Sequence, residues 1–176
     1  AGSKNSIAEA LTNIIWAPLK DNLKGVSLSA NWMWPCKNEG EDARLFKAVE
    51  AISEFAIDLG INVPTGKDSL SMKQKYPNEE VISPGTVIIS AAANCTDITN
   101  VVEPVLQKGF NDAIYYINLS GDDYKLGGSS FAQILNKIGT EAPTITNNER
   151  FKNTFNTIQE IIKNGKIVAG HDVASG

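Results

Sequence analysis

Apolar and polar positions in the first third of the chain follow helical spacing, then strand spacing, then helical spacing again. Apolar side chains three or four positions apart predict one helix over residues 7–14 and a second, longer helix over residues 41–59, which ends at Gly60. Between them, residues 25–32 alternate apolar with polar side chains, as a half-buried strand does. This order of elements is typical of a mixed α/β fold.

The middle of the chain is rich in short strand patterns. Residues 61–63 predict a strand, residues 64–69 (PTGKDS) a polar turn, and residues 69–73 a further strand. The β-branched and small residues 86–93 (TVIISAAA) predict a central strand. The periodicity then fails until Asp112, and we place a domain boundary there, after about residue 105.

The last third of the chain repeats the alternation of strand and helix. Residues 113–120 predict a strand, and residues 131–138 predict a helix that Gly139 ends. A further helix is predicted from residue 147 or 148 to residue 162, followed by a strand over 167–170. The second domain is therefore also expected to be α/β.

Composition excludes several classes of protein. The 176 residues are 42% hydrophobic and carry a net charge of −4 without a run of Lys or Arg, so we expect no nucleic-acid partner. No apolar run approaches the roughly 18 residues of a membrane span. Cys36 and Cys95 lie far apart with no export signal before them, which indicates reduced thiols in a cytoplasmic protein. The chain starts without Met and stops after a polar run, and we interpret it as a piece of something longer.

One candidate binding motif is GKDS, formed by Gly66, Lys67, Asp68 and Ser69. It combines a flexible backbone, a cation, a carboxylate and a hydroxyl, which suits a phosphate, a nucleotide or an oxyanion. It is not a Walker A loop, because that motif has a different glycine spacing and a Ser or Thr directly after the Lys. The alternative is an ordinary polar turn between two strands.

A second candidate is the glycine pair that precedes a predicted helix. Gly127, Gly128 and Ser129 could present backbone N–H groups to an anion at the helix start. The alternative is a common strand-to-helix turn in which the serine caps the helix.

A third candidate is a set of oxygen ligands. Glu9 and Asn13 lie four positions apart on the first predicted helix, and Asp172 could add a third oxygen from a distant segment. Oxygen ligands are those that magnesium prefers, although a Glu/Asn pair is also typical of a solvated helix face. His171 is the single histidine, so a site with several histidines is excluded within this chain; it could be a general base or a structural residue.

Seven segments spread over the chain together resemble the large, single-chain phosphoribosylformylglycinamidine synthases of purine biosynthesis. These segments are AEALTNI (8–14), LSANWMWP (28–35), GEDARLFKAVEA (40–51), NVPTGKDSLSM (62–72), SPGTVIISA (83–91), LGGSSFAQ (126–133) and GHDVASG (170–176). The resemblance implies an α/β (α+β) fold like that of aminoimidazole ribonucleotide synthetase. Residues 1–105 would be the N-terminal domain of the second synthetase repeat, without its first strand, and residues 106–176 the truncated start of the C-terminal domain.

The resemblance also implies an activity. Members of that family are ATP-dependent ligases that convert formylglycinamide ribonucleotide, glutamine and ATP to formylglycinamidine ribonucleotide, glutamate, ADP and phosphate. Catalysis would need the other repeat and a glutaminase domain of the parent chain, so we expect the 176 residues to be inactive alone. The resemblance assigns no catalytic residue here and no nucleophile role to either cysteine. It implies Mg²⁺ and ATP or ADP as ligands, small-molecule substrates, and no membrane partner.

Several residue roles follow from the resemblance. Glu9, Asn13 and Asp172 match the family's magnesium ligands, and a further aspartate ligand would lie before Ala1. The GKDS motif matches a segment expected on the substrate or phosphate side of the paired sheets.

The glycine pair and the residues after GHD match nucleotide-binding positions. These are Gly127, Gly128, Ser129 and Ala174, although Ala174 replaces a serine that the family commonly has and Ser175 stands one place later. An alternative function is a structural half, stabilised by nucleotide, that supports a catalytic half. A third reading is another enzyme of the superfamily, such as a selenophosphate synthetase or a thiamine-monophosphate kinase, which SANWMWP and GKDSLSM fit poorly.

Overall fold

The computed structural model describes residues 1–108, 113–121 and 124–174. It contains helices and strands in the mixed order that the sequence predicts. The helices are α1 (Gly2–Ile14), α2 (Glu41–Leu59), α3 (Ser130–Ile134) and α4 (Asn148–Lys163). The strands are β1 (Ser27–Met33), β2 (Asn62–Ser69), β3 (Lys73–Lys75), β4 (Glu80–Ile82) and β5 (Thr86–Ala92). Short 3₁₀ turns lie at Asn22–Gly25 and Ile98–Asn100.

A three-stranded sheet with the order β2-β1-β5 forms the centre of the fold. Strand β1 runs parallel to β2 and antiparallel to β5, while β3 and β4 form a separate antiparallel pair. The helix α2 connects the two parallel strands, as a crossover between parallel strands requires. Within the described part of the chain β5 is therefore an edge strand, so the prediction that it is central is wrong. Its neighbours in space, rather than its composition, decide its place.

Helices α1 and α2 and the core-facing side of the sheet enclose the hydrophobic core. Most of the apolar positions that predicted α1 and α2 face the core, with Ile7, Leu11, Phe55 and Leu59 fully inaccessible to solvent, whereas Val49 near the middle of α2 is 43% exposed. Gly60 ends α2 in a left-handed conformation, with φ of 75°. Both helix predictions are therefore confirmed, because an amphipathic pattern needs only one apolar surface to pack against.

Helix α4 packs into the same core from the other end of the chain. Asn147 caps its first turn by accepting a hydrogen bond from the Arg150 backbone N–H at 2.8 Å. The ring of Phe151 meets the ring of Phe55 edge to face, with centroids 5.7 Å apart. The structure confirms the predicted helix and places it against elements from the first hundred residues. The division of the chain after residue 105 stays a prediction.

Three predicted strands and one predicted helix differ from the structure. The segment predicted as a polar turn, residues 64–69, is part of the long strand β2, and residues 70–72 form no strand. Residues 113–120 form no strand and pair with none of the described strands, and Ile114 is 83% exposed. Residues 167–170 likewise lack a strand partner in the described structure.

Helix α3 ends at Ile134 instead of 138. The chain turns at Asn136, whose φ of 53° is left-handed and cannot continue an α-helix.

The predicted boundary region includes residues 109–112, which lie outside the described residues, as does Ser175. None of the helices within residues 1–108, 113–121 and 124–174 combines the length and the apolar composition of a membrane span.

Candidate functional site

The GKDS motif lies along an edge of the sheet, and its alternate residues face opposite sides. In the register of the parallel pair, Lys67 lies beside Asn31 and Asp68 beside Trp32. Trp32 packs against the hydrophobic core, so Asp68 shares the side of the sheet that carries the helices. Lys67 therefore projects from the opposite side, which we call the open face.

The open face mixes small polar residues with the apolar side chains of Met33, Ile88 and Ala92. In the described part of the chain, no carboxylate lies within ion-pair distance of the exposed Lys67 ammonium. The register places these small polar residues on the same face: Ser27, Ser29, Asn31, Asn62, Thr65, Ser69, Thr86 and Ser90. The hydrogen bond of 2.8 Å between the Ser27 hydroxyl and Asn62 Oδ1 agrees with that placement.

Gly66 is required where β1 and β2 approach each other. A Cβ at this position would lie 2.2 Å from the carbonyl oxygen of Ala30, too close for any real contact. A side chain here would push the parallel strands apart and move Lys67 relative to Asn31. The glycine of the motif therefore serves strand packing, which the polar-turn reading did not foresee.

Asp68 contributes to an acidic environment at the start of α2. Burial raises the pKa of the Cys36 thiol, and the nearby carboxylates of Asp42, Glu41 and Asp68 raise it further. A negative environment disfavours the thiolate, so Cys36 is a poor nucleophile here. Both thiols are free in the structure.

Asn31 is a residue that motif analysis missed. Its Oδ1 atom is shielded from solvent and has no hydrogen-bond partner among the described residues. Buried polar atoms are nearly always paired, so such an atom marks either strain or a binding position. The available sequence signal was an asparagine in the middle of a strand pattern, where this residue type is depleted.

Glu9 and Asn13 lie together on the exposed side of α1. The Asn13 amide donates to the Glu9 carbonyl oxygen at 2.9 Å and to Glu9 Oε1 at 3.3 Å. Both residues line an open groove of about 600 Å³ between α1 and the edge strand β5. Two side-chain oxygens are thus available one helical turn apart, as the sequence spacing predicts.

The structure brings the segment of Asp172 to the C-terminal end of α1. Gly170 packs directly on the indole of Trp16, where a Cβ would lie 2.0 Å from the ring. The Gly170 N–H donates to the Glu103 carbonyl at 3.2 Å, and Asp172 Oδ1 lies 3.5 Å from His171 Nδ1. Across the described residues, no three His, Cys, Asp or Glu side chains converge on one metal position. The donor set of one amide and two carboxylates still suits magnesium chemically.

The backbone N–H groups of the glycine pair already have partners within the chain. Gly127 donates to the Glu141 carbonyl at 2.8 Å, and Gly128 donates to the Ile138 carbonyl at 2.6 Å. The Ser129 hydroxyl accepts from the Ala132 N–H at 3.2 Å, so this serine caps α3. The capping alternative is confirmed. The nucleotide role of residues 127–129 and of the exposed Ala174 stays a prediction.

The sequence of residues 1–94, which contains α1 and the whole sheet, matches the family described as the FGAR-AT PurM_N-like domain. The chain belongs to that family. The matched range includes Glu9, Asn13, the GKDS motif and Asn31, so each of these lies within the family's domain.

Curated relatives extend the similarity over essentially the full chain. A probable phosphoribosylformylglycinamidine synthase from Caenorhabditis elegans is 39% identical over 99% of this chain. A probable chloroplastic/mitochondrial phosphoribosylformylglycinamidine synthase from Arabidopsis thaliana is 40% identical over 100% of it. The Homo sapiens phosphoribosylformylglycinamidine synthase is 39% identical over 97% of it. The chain spans only 12–14% of the length of these three relatives.

Proposed function

We propose that the protein containing this chain is an ATP-dependent ligase of purine biosynthesis, converting formylglycinamide ribonucleotide, glutamine and ATP to formylglycinamidine ribonucleotide, glutamate, ADP and phosphate. The observation that carries the proposal is the identity of 39–40% to synthases named for this product, sustained along the whole chain. Membership of the FGAR-AT PurM_N-like family supports it. The remaining repeat and the glutaminase domain would be supplied by the parent chain. The cytoplasmic location expected from the sequence is part of the same proposal.

Within that enzyme, we assign this chain the task of holding a magnesium-bound nucleotide. Glu9 and Asn13 would supply oxygens from one face of α1, and Asp172 would supply a third from the segment packed on Trp16. Ala174 would contact the nucleotide, and the loop 127–129 would do so only by exchanging the internal hydrogen bonds of its two glycine N–H groups. When bound, magnesium would offset the negative charge of the phosphates. The protein's own contribution is to fix these side chains on elements held by the core.

The GKDS motif would contact a phosphate group of a ligand in the same enzyme. Its exposed Lys67 offers a cation without a described carboxylate partner, and Ser69 offers a hydroxyl on the same face of the sheet. A lysine acts on phosphate as a point charge, which positions the ligand. Gly66 would keep the two parallel strands close enough to place both groups.

Two measurements on the full-length protein test the proposal. Phosphate release that requires ATP, glutamine and formylglycinamide ribonucleotide together is the expected activity; its absence in a folded, full-length preparation would refute the ligase assignment.

For the metal role, wild type is expected to melt at a higher temperature when Mg-ADP is added, and Glu9→Gln and Asp172→Asn should each lose much of that shift. At a ligand concentration of 100 times Kd, binding contributes about 2.7 kcal/mol.

The matched control is Glu54→Gln, which removes an exposed carboxylate from α2 instead of α1. It should keep the wild-type shift. If all three variants gain the same stability from Mg-ADP as wild type, Glu9 and Asp172 are not magnesium ligands, whatever the activity assay shows.

A further inference from the structure

We propose that Trp16, just beyond the end of helix α1, is a positioning residue for the magnesium site, because its indole ring is the surface on which the segment of Asp172 rests. The inference rests on the proposed function and deepens it. Glu9 and Asn13 belong to α1, whereas Asp172 comes from the far end of the chain. The three side chains can act together only if a contact outside them fixes one segment against the other.

The contact that does so joins Trp16 to Gly170. A Cβ at Gly170 would lie 2.0 Å from Cζ3 of the indole and 2.6 Å from Cε3 and Cη2, so a side chain here would displace the segment or the ring. The backbone of Gly170 is not left-handed, so the ring, and not the local conformation, requires a glycine. Asp172 follows two positions later, and two residues span at most about 7 Å. The fit of Gly170 on the ring therefore limits where the Asp172 carboxylate can lie.

The backbone around Trp16 is itself fixed by hydrogen bonds. The buried Gln159 amide donates to the carbonyls of the residues on both sides of Trp16. The Trp16 carbonyl accepts from the Val102 N–H at 2.9 Å, and the carbonyl of the next residue, Glu103, accepts from the Gly170 N–H at 3.2 Å. One short segment is thus bonded to both partners of the ring contact. The ring is a fixed surface on which the Asp172 segment packs.

The environment of Asp172 indicates that its position is meant for a cation. Its side chain is only 11% exposed, and its one ion-pair partner among the described residues is His171, whose Nδ1 atom lies 3.5 Å away. No hydrogen bond to its carboxylate comes from the described part of the chain. A carboxylate removed from water is costly unless an opposite charge faces it, and magnesium would supply that charge. The packing on Trp16 holds the carboxylate in this shielded position.

The test measures metal affinity directly on the full-length protein. Mn²⁺ binds to the same oxygen ligands as Mg²⁺, and electron paramagnetic resonance reports the free ion in the presence of saturating ADP. The ion that wild type binds and Glu9→Gln loses defines the site. Gly170→Ala and Trp16→Leu should each raise the Kd of that ion roughly 10- to 100-fold, the usual cost of disturbing groups that orient metal ligands. Trp16→Phe keeps an aromatic ring and should raise the Kd less than Trp16→Leu does.

The double variant, Gly170→Ala with Trp16→Leu, separates positioning from a general loss of stability. Leucine lacks the ring atoms that the new Cβ would meet, so the second substitution relieves the collision caused by the first. The rise in Kd should therefore be smaller than the product of the two single effects. A rise equal to that product would mean that the two residues act independently, and it would contradict the proposal.

Gly85→Ala is the matched control, because Gly85 rests on another indole. A Cβ there would lie 2.4 Å from the ring of Trp34, so the variant introduces the same kind of collision away from Asp172. Its melting temperature should fall, but its Kd for Mn²⁺ should stay within about twofold of wild type, since distant sites act independently.

The outcomes distinguish this proposal from the metal assignment on which it rests. If Gly170→Ala or Trp16→Leu binds the ion with wild-type affinity, the positioning role of Trp16 is wrong and the metal assignment stands. If one of these two variants does not fold, the other decides, together with Trp16→Phe. If Glu9→Gln and Asp172→Asn bind every ion that wild type binds, the metal assignment itself has failed.

Discussion

Among the hydrogen bonds that join helix α4 to the loop after α1, those of one buried amide give the sharpest prediction of this structure. Gln159 is fully buried. Its Nε2 group donates to the carbonyls of Ile15 at 2.5 Å and Ala17 at 3.1 Å, and its Oε1 atom accepts from the Leu19 N–H at 2.8 Å. These three bonds join residues that lie some 140 positions apart in the chain.

Gln159→Met keeps the length of the side chain and removes all three hydrogen bonds. The Leu19 N–H and the Ile15 carbonyl would then be buried without partners, at about 1–3 kcal/mol each, while the partly buried Ala17 carbonyl can turn to water. The variant no longer buries an amide group, and the desolvation cost that it avoids offsets part of this loss. We therefore expect the free energy of unfolding to fall by about 2–4 kcal/mol.

Urea denaturation followed by tryptophan fluorescence measures this loss, because Trp16 lies between two of the bonded residues. With a denaturant slope of about 2 kcal/mol/M, the midpoint should fall by roughly 1–2 M. The exposed Gln107→Met is the control and should leave the midpoint nearly unchanged. A Gln159→Met midpoint no lower than that of the control would refute the claim that this amide holds α4 in place.

Two further predictions concern the sheet and the cysteine that follows strand β1. Gly66→Ala should lower the free energy of unfolding by about 1–3 kcal/mol, because its Cβ would collide with the Ala30 carbonyl oxygen. Thermal melting measures this loss, with Gly2→Ala as the control because a Cβ at Gly2 meets only open space. Equal melting temperatures for the two variants would contradict the close approach of the strands. In a Cys95→Ser background, Cys36 should react with a thiol reagent with a pH midpoint above that of an ordinary cysteine, because burial and the nearby carboxylates raise its pKa and leave less thiolate at a given pH. Asp42→Asn removes the largest of the charge contributions and should lower that midpoint; an unchanged midpoint would contradict the influence of this carboxylate on the thiol.

The sites illustrate how far residue patterns alone can lead. Glu9 and Asn13 lie on one face of α1 because their spacing is local, and Ser129 caps α3 for the same reason. The two-sided arrangement of GKDS was not predictable, because it depends on the pairing of β2 with β1 rather than on the motif. Asn31 became a candidate only when the fold showed its oxygen to be shielded and without a partner among the described residues.

The sequence by itself determined α1, α2 and α4, the strands β1 and β5, and the family to which the chain belongs. Helical periodicity depends on side chains within a few turns, and a helix forms its backbone hydrogen bonds within its own segment. Tertiary structure alone decided that β5 is an edge strand of the described sheet, that the predicted turn at 64–69 continues a strand, and that residues 113–120 are not one. A strand is completed by hydrogen bonds to distant segments, so its identity depends on which partners the fold brings beside it.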